Sequence, residues 1–192
     1  MSNYTPLREG GVYHIYNMGN NGENIFIEER NYRHFLRLLF FYLYPVCDVF
    51  AFCLMRNHFH LLIRVLTEAE WRARVFLDVG AAVDQVFDPA RRLGDAFNAY
   101  AKAVNKAYNR SGSLFRKPFR RKEIKSDAHF AVAVRYIHRN PEHHGFVGNF
   151  RDWPWSSYAV LASSSPTSLK RADVLEWFGG ASGFAAAHVL AS

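Results

Sequence analysis

A chain of 192 residues holds one domain with a sizeable core and room for appended helices. Its two cysteines, Cys47 and Cys53, match no zinc or redox spacing and exclude a disulfide scaffold, and its longest apolar run, residues 35–46, is too short and too interrupted by Arg37 to span a bilayer. The formal net charge of +7 points to a polyanionic partner, nucleic acid first, against the plainer reading of a basic surface kept for solubility. Two buried thiols and a start, Met1-Ser2-Asn3-Tyr4-Thr5-Pro6, without a signal-peptide pattern fit a cytoplasmic protein.

Gly11-Val12-Tyr13-His14-Ile15-Tyr16-Asn17 alternates and is rich in β-formers, which predicts a first strand; Gly19-Asn20-Asn21-Gly22 then marks a turn. Residues 28–44 place Phe35, Leu36, Leu38, Leu39 and Leu43 at helical spacing. Residues 47–55 and 58–65 read as two strands joined tightly at Arg56-Asn57. Thr67 stands at a helix N-cap, and Asp88-Pro89 breaks the pattern that follows. Residues 93–109 form a helix with Phe97, Tyr100, Ala101, Val104 and Tyr108 on one face, ended by Ser111-Gly112-Ser113. Residues 119–124 supply a fourth strand, and Ser126 caps a helix that Asn140-Pro141 terminates. Short helices are expected near 156–163 and 171–178.

This order builds an α+β, ferredoxin-like fold: an antiparallel sheet with helices on one face, plus C-terminal helices. Residues 1–150 form the main domain, and 151–192 form a helical extension packed on it.

The third strand opens with His58-Phe59-His60. Side chains alternate along a strand, so both imidazoles share one sheet face and Phe59 points into the core. Two adjacent imidazoles suit one metal ion, yet a chain with 9 histidines meets such a triplet by chance often enough that it means little alone.

Leu114-Phe115-Arg116-Lys117-Pro118-Phe119-Arg120-Arg121-Lys122 interleaves five cations with two phenylalanines. Cations contact phosphate and aromatic rings stack on unpaired bases. Lys102, Lys106 and Arg110 precede it at helical spacing, as one stripe. The competing reading is a solvated edge strand whose charges discourage aggregation.

In Val134-Arg135-Tyr136-Ile137-His138-Arg139-Asn140-Pro141, Tyr136 and Asn140 are four apart and share a helix face. Facing the histidine strand, Asn140 offers a carbonyl oxygen to a metal and Tyr136 a nucleophilic hydroxyl beside it. Taken alone, a buried tyrosine anchor and a helix C-cap account for both residues more simply.

Five ordered blocks resemble the single-tyrosine transposases of the HUH superfamily, especially the REP-associated tyrosine transposases. They are Tyr13-His14-Ile15 with Gly19-Asn20-Asn21; Cys53-Leu54-Met55-Arg56-Asn57-His58-Phe59-His60-Leu61-Leu62; Tyr108-Asn109-Arg110-Ser111-Gly112-Ser113-Leu114-Phe115; Arg135-Tyr136-Ile137-His138-Arg139-Asn140-Pro141; and Trp155-Ser156-Ser157-Tyr158. The resemblance implies a ferredoxin-like nuclease domain that cleaves and rejoins single-stranded DNA through a 5′-phosphotyrosine. It makes Tyr136 the nucleophile and His58, His60 and Asn140 the ligands of one divalent metal; mixed imidazole and carbonyl ligands suit Mg²⁺ or Mn²⁺, and the basic residues Lys102, Lys106, Arg110, Arg116, Lys117, Arg120, Arg121 and Lys122 are the expected DNA contacts. Arg56 stands where relatives often have proline. Many relatives use another polar residue as third ligand, and Glu142, His143 and His144 lie close by. Single-stranded or hairpin DNA is the expected partner, with monomer and homodimer both open and no membrane. The rival is a non-catalytic DNA- or RNA-binding protein derived from this fold.

Overall fold

The computed structural model describes residues 5–79 and 86–189. The outer ends of the expected domain and its extension, residues 1–4 and 190–192, lie outside the described residues, as does part of the 67–91 segment.

Four strands, β1 (Val12–Met18), β2 (Cys47–Met55), β3 (His58–Val65) and β4 (Arg120–Ile124), form one antiparallel sheet in the order β2-β3-β1-β4. β3 is therefore central and β4 is an edge. Two long helices, α1 (Glu29–Leu43) and α3 (Pro89–Ala107), pack on each other. Their aromatic residues Phe35 and Phe97 meet Phe59 of β3, which is fully buried. Between β3 and α3 lies α2 (Glu68–Val79), where Thr67 and Glu70 cap each other reciprocally: the Glu70 amide donates to the Thr67 hydroxyl at 3.2 Å and the Thr67 amide to the Glu70 carboxylate at 2.8 Å.

Asp88-Pro89 starts a helix instead of only interrupting one. The Asp88 carboxylate accepts from the Arg91 amide at 2.9 Å, and Pro89 occupies the first turn, where its missing N–H is no loss. α3 ends at Ala107, and Asn109 takes a positive φ of 49°. Arg110 thus leaves the helical stripe expected with Lys102 and Lys106, and it turns to pair with Glu23.

The opposite face of the sheet is covered by α4 (Asp127–His143), with Ser126 accepting from the His129 amide at its N-cap. Asn140-Pro141 does not terminate this helix. Pro141 sits inside its last turn, where it removes one bond to the carbonyl four residues back without stopping the helix, and the chain leaves the helix only at Gly145, with φ of 68°. The tail adds α5 (Tyr158–Ala162), α6 (Arg171–Trp177) and α7 (Ala181–Val189). The first two match the expected short helices; α7 was not anticipated, because its apolar residues run without a helical period. Trp177 packs on Phe130 of α4 at 3.9 Å between ring centroids. Residues 153–157 seal the β2 edge: the Leu54 amide donates to the Trp155 carbonyl and the Ser157 amide to the Phe52 carbonyl, both at 2.9 Å.

Candidate metal and tyrosine site

The alternation of β3 sends Phe59 into the α1–α3 layer and turns His58 and His60 to the face under α4. Antiparallel register sets Tyr16 of β1 opposite His60, and their rings stack 5.8 Å apart. His14, two residues back on the same face, brings its Nε2 to 2.8 Å from His60 Nδ1. At the hairpin turn, the Asn57 side-chain oxygen accepts from His58 Nδ1 at 2.7 Å. The turn itself is tied down from outside: the Ile25 and Phe26 amides donate to the Arg56 carbonyl and the Gly19 amide to the Asn57 carbonyl. Gly19 has no room for a side chain, since a Cβ there would lie 2.0 Å from the Glu23 carbonyl oxygen.

α4 crosses the same face. The Tyr136 ring lies 5.6 Å from that of His60 and 5.9 Å from that of His14, and the residue is 44% exposed. An anchoring tyrosine would be buried; this one opens to the cleft. Asn140, one turn on, is 0% exposed. Its Nδ2 donates to the Tyr136 carbonyl at 3.0 Å, and among the described residues its Oδ1 meets no donor in hydrogen-bond geometry. The C-cap role falls to His144 instead. Leaving a buried carbonyl oxygen unpaired costs on the order of 1–3 kcal/mol, so this atom is fitted for a ligand.

The electrostatics agree with that fit. Burial, with His144 next, pushes His58 down to about 4, the Asn140 side chain opposing. Burial, with His14, His58 and His144 adding to it, holds His60 well below the ordinary histidine range, and Asn140 again opposes. Burial and the Lys122 ammonium push His14 down to about 4. All three imidazoles are neutral at pH 7 and keep one lone pair each, as metal binding requires. Among the described residues no three His, Cys, Asp or Glu side chains converge as a metal site. The donor set here is two imidazoles and an amide oxygen, a mixed nitrogen and oxygen set.

Of the nearby alternatives for the third position, Glu142 is engaged, with Arg139 at 2.7 Å and the Phe150 amide at 3.1 Å. His143 is exposed, its ring 6.4 Å from Tyr136. The His144 ring lies 4.8 Å from His58, at the rim.

A cleft of about 1110 Å³ opens over these groups, lined by Tyr16, His58, His60, Tyr136 and, on its far wall, Arg116, Lys117, Arg120 and Arg121. Arg116 is held there by its amide on the Met18 carbonyl and its carbonyl on Asn17 Nδ2. Lys122 sits on β4 opposite His14. The other expected contacts are set apart: Lys102 lines an adjoining cavity of about 410 Å³ that shares Arg116 and Lys117, Lys106 is exposed on α3, and Arg110 is committed to Glu23 and Asn105. Sequence reasoning missed His14 and Asn57 as partners of the histidine pair. A period of two puts His14 and Tyr16 on one face of β1, but only the β1–β3 register joins that face to His60.

No protein-family model matches the chain. A curated protein of Haemophilus influenzae named as a REP-associated tyrosine transposase is 28% identical over 116 residues, which are 60% of this chain. The match also spans 60% of that relative's length. A solved structure of a REP-associated tyrosine transposase bound to a REP hairpin superimposes with a TM-score of 0.66 at 17% identity, over 86% of this chain and 89% of that one. At that identity the superposition speaks for the fold. The chain is similar in sequence to one REP-associated tyrosine transposase and shares the α+β fold of another, the resemblance that its ordered motif blocks carry.

Proposed function

We propose that this protein is a DNA transposase that cleaves and rejoins single-stranded DNA through a tyrosine nucleophile. One observation carries the reading: a half-exposed tyrosine and a buried, unpaired amide oxygen one helical turn apart face two neutral imidazoles at the floor of a cationic cleft. His58, His60 and Asn140 would hold one divalent cation, Mg²⁺ or Mn²⁺, which when bound supplies Lewis-acid polarisation of a phosphate.

In this reading Arg116, Lys117, Arg120 and Arg121 draw the DNA backbone into the cleft and orient the scissile phosphate over the imidazoles. The Tyr136 hydroxyl loses its proton and attacks phosphorus. The new bond joins Tyr136 Oη to phosphorus while the bond to the 3′ oxygen breaks, leaving a 5′-phosphotyrosine and a 3′-hydroxyl. The covalent link keeps the bond energy, so a second 3′-hydroxyl reverses the step without a nucleotide cofactor. In this reading Tyr136 attacks in the site formed by the histidines beside it, its ring 5.6 Å from that of His60. Hairpin DNA is the proposed partner, by analogy with the hairpin bound to the structural relative.

The test uses a single-stranded oligonucleotide carrying a hairpin, with Mn²⁺, read on a denaturing gel. A protein–DNA adduct in the wild type that disappears in Tyr136→Phe is expected. Cleavage without an adduct points to activated water, and binding without either points to a non-catalytic descendant of the fold; both overturn the proposal.

A further inference from the structure

We infer that His14 is a positioning residue: it accepts a hydrogen bond from His60 Nδ1–H and thereby fixes the tautomer and ring orientation that turn the His60 Nε2 lone pair toward Asn140. The inference rests on the metal reading of the site and goes beyond it, because His14 is no ligand in that reading.

A neutral imidazole carries one proton on two nitrogens, and the group bonded to one nitrogen decides what the other can do. For His58 the decision is visible. The Asn57 side-chain oxygen at 2.7 Å accepts, so Nδ1 carries the proton and Nε2 is left as a donor atom. His60 has no such carbonyl. Among the described residues its Nδ1 is met only by His14 Nε2, at 2.8 Å. The two residues are diagonal neighbours on one sheet face, since Tyr16 is opposite His60 and His14 is opposite Leu62. Their rings are 5.0 Å apart and tilted by 31°, so the contact is edge to edge through nitrogen. With Nε2 pointed at His60 Nδ1 at that distance, His14 has no free lone pair to turn on a cation beside Asn140. It can serve the site only through His60. The two histidines of the pair are thus served alike, each held at Nδ1 and each with the Asn140 side chain close by. Partners of this kind, acting through a ligand, are worth about 10–100-fold in metal affinity.

The experiment has two arms. In metal-free protein, long-range ¹H–¹⁵N NMR of the histidine rings reads the tautomer directly. His60 is expected as Nδ1–H in the wild type and in His14→Gln, whose side-chain oxygen can accept, and as Nε2–H or a mixture in His14→Phe. In the second arm, Mn²⁺ binding is followed by the loss of the free-ion EPR signal. His14→Phe is expected to bind about 10–100-fold more weakly than wild type, with its thermal midpoint kept, and His14→Gln to recover most of the loss. Wild-type His60 found as Nε2–H, or His14→Phe with an unaltered tautomer and unaltered Mn²⁺ affinity, overturns the inference. A wild type that shows the Nδ1–H tautomer yet binds neither Mn²⁺ nor Mg²⁺ overturns the metal reading instead, and the two failures are told apart by the first arm.

Discussion

Two histidine pairs in this molecule have the same contact and opposite surroundings. His14 and His60 meet at 2.8 Å under the cleft, and His138 and His188 meet at 2.8 Å between α4 and α7. In the second pair every ring nitrogen is engaged. The Phe184 carbonyl can only accept, so His188 Nδ1 donates to it at 2.7 Å. His188 Nε2 then accepts from His138 Nδ1, and His138 Nε2, 2.8 Å from Ser157 Oγ, accepts the hydroxyl proton. That network is closed, and it ties the tyrosine helix to the β2 edge and to the C-terminal helix. The first pair is open: His14 is spent on His60, and the second nitrogen of His60 is left by the Asn140 side chain, whose oxygen meets no donor in hydrogen-bond geometry among the described residues. Burial alone therefore does not mark a functional histidine. An uncommitted lone pair facing a cleft does.

The comparison breaks most sharply at Tyr136. Tyr136→Phe keeps the ring and removes the hydroxyl, and we expect adduct formation to fall by on the order of 10³-fold or more with stability unchanged. Gel assays of the adduct, with denaturant unfolding alongside, check both halves. His138→Leu should do the reverse. It strands His188 Nε2 in the core, though the Ser157 hydroxyl keeps the Phe52 carbonyl at 3.1 Å, and it should destabilise by ~2–4 kcal/mol in urea, while the folded fraction keeps its adduct chemistry. Equal losses of chemistry and stability in both variants would erase the distinction between the open and the closed pair.

Acid sharpens the closed pair. Burial pushes His188 down to about 4 from the ordinary value of 6.5. The folded state then refuses a proton that the unfolded chain accepts below 6.5, so the contribution of His188 to stability is lost as pH drops from 6.5 to 4 and changes no further beneath. The loss from His188 is on the order of 2–3 kcal/mol, and it should shrink in His188→Gln, which cannot titrate. Thermal midpoints at pH 7, 5.5 and 4 measure it. The smallest effect concerns the cleft wall. Arg120→Ala should weaken single-strand binding evenly across sequences and lower the slope of log K against log salt by about 0.7, the release of one counterion. Arg110→Ala should leave that slope nearly unaltered, because Arg110 is spent on Glu23.

Much of the fold was legible. The spans 47–55 and 58–65 agree with β2 and β3 because apolar runs bounded by a charged, polar turn leave little freedom in where a strand ends. α1 and the Ser126 cap of α4 were equally plain. Pro141 misled, since a proline costs a helix one hydrogen bond to the carbonyl four residues back and crowds it, yet α4 carries that cost for two more residues, to His143. α7 was hidden because its residues carry no period. At the site, spacing made His58, His60, Tyr136 and Asn140 candidates and the ordered motif blocks singled them out, and the structure brings all four together. The basic residues divided: Arg116, Lys117, Arg120 and Arg121 reach the cleft, while Lys106 and Arg110 do not line it.

By itself the sequence determined which faces are presented. Period two turns His58 and His60 one way and Phe59 the other, and period 3.6 sets Tyr136 above Asn140. Only the tertiary structure decided that these faces meet. Strand register lays His14 beside His60, 46 residues away. The packing of α4 on the sheet face opposite α1 and α3 buries Asn140 while leaving Tyr136 half open. Such distances are set by which surfaces exclude water together, and no local pattern of residues encodes that.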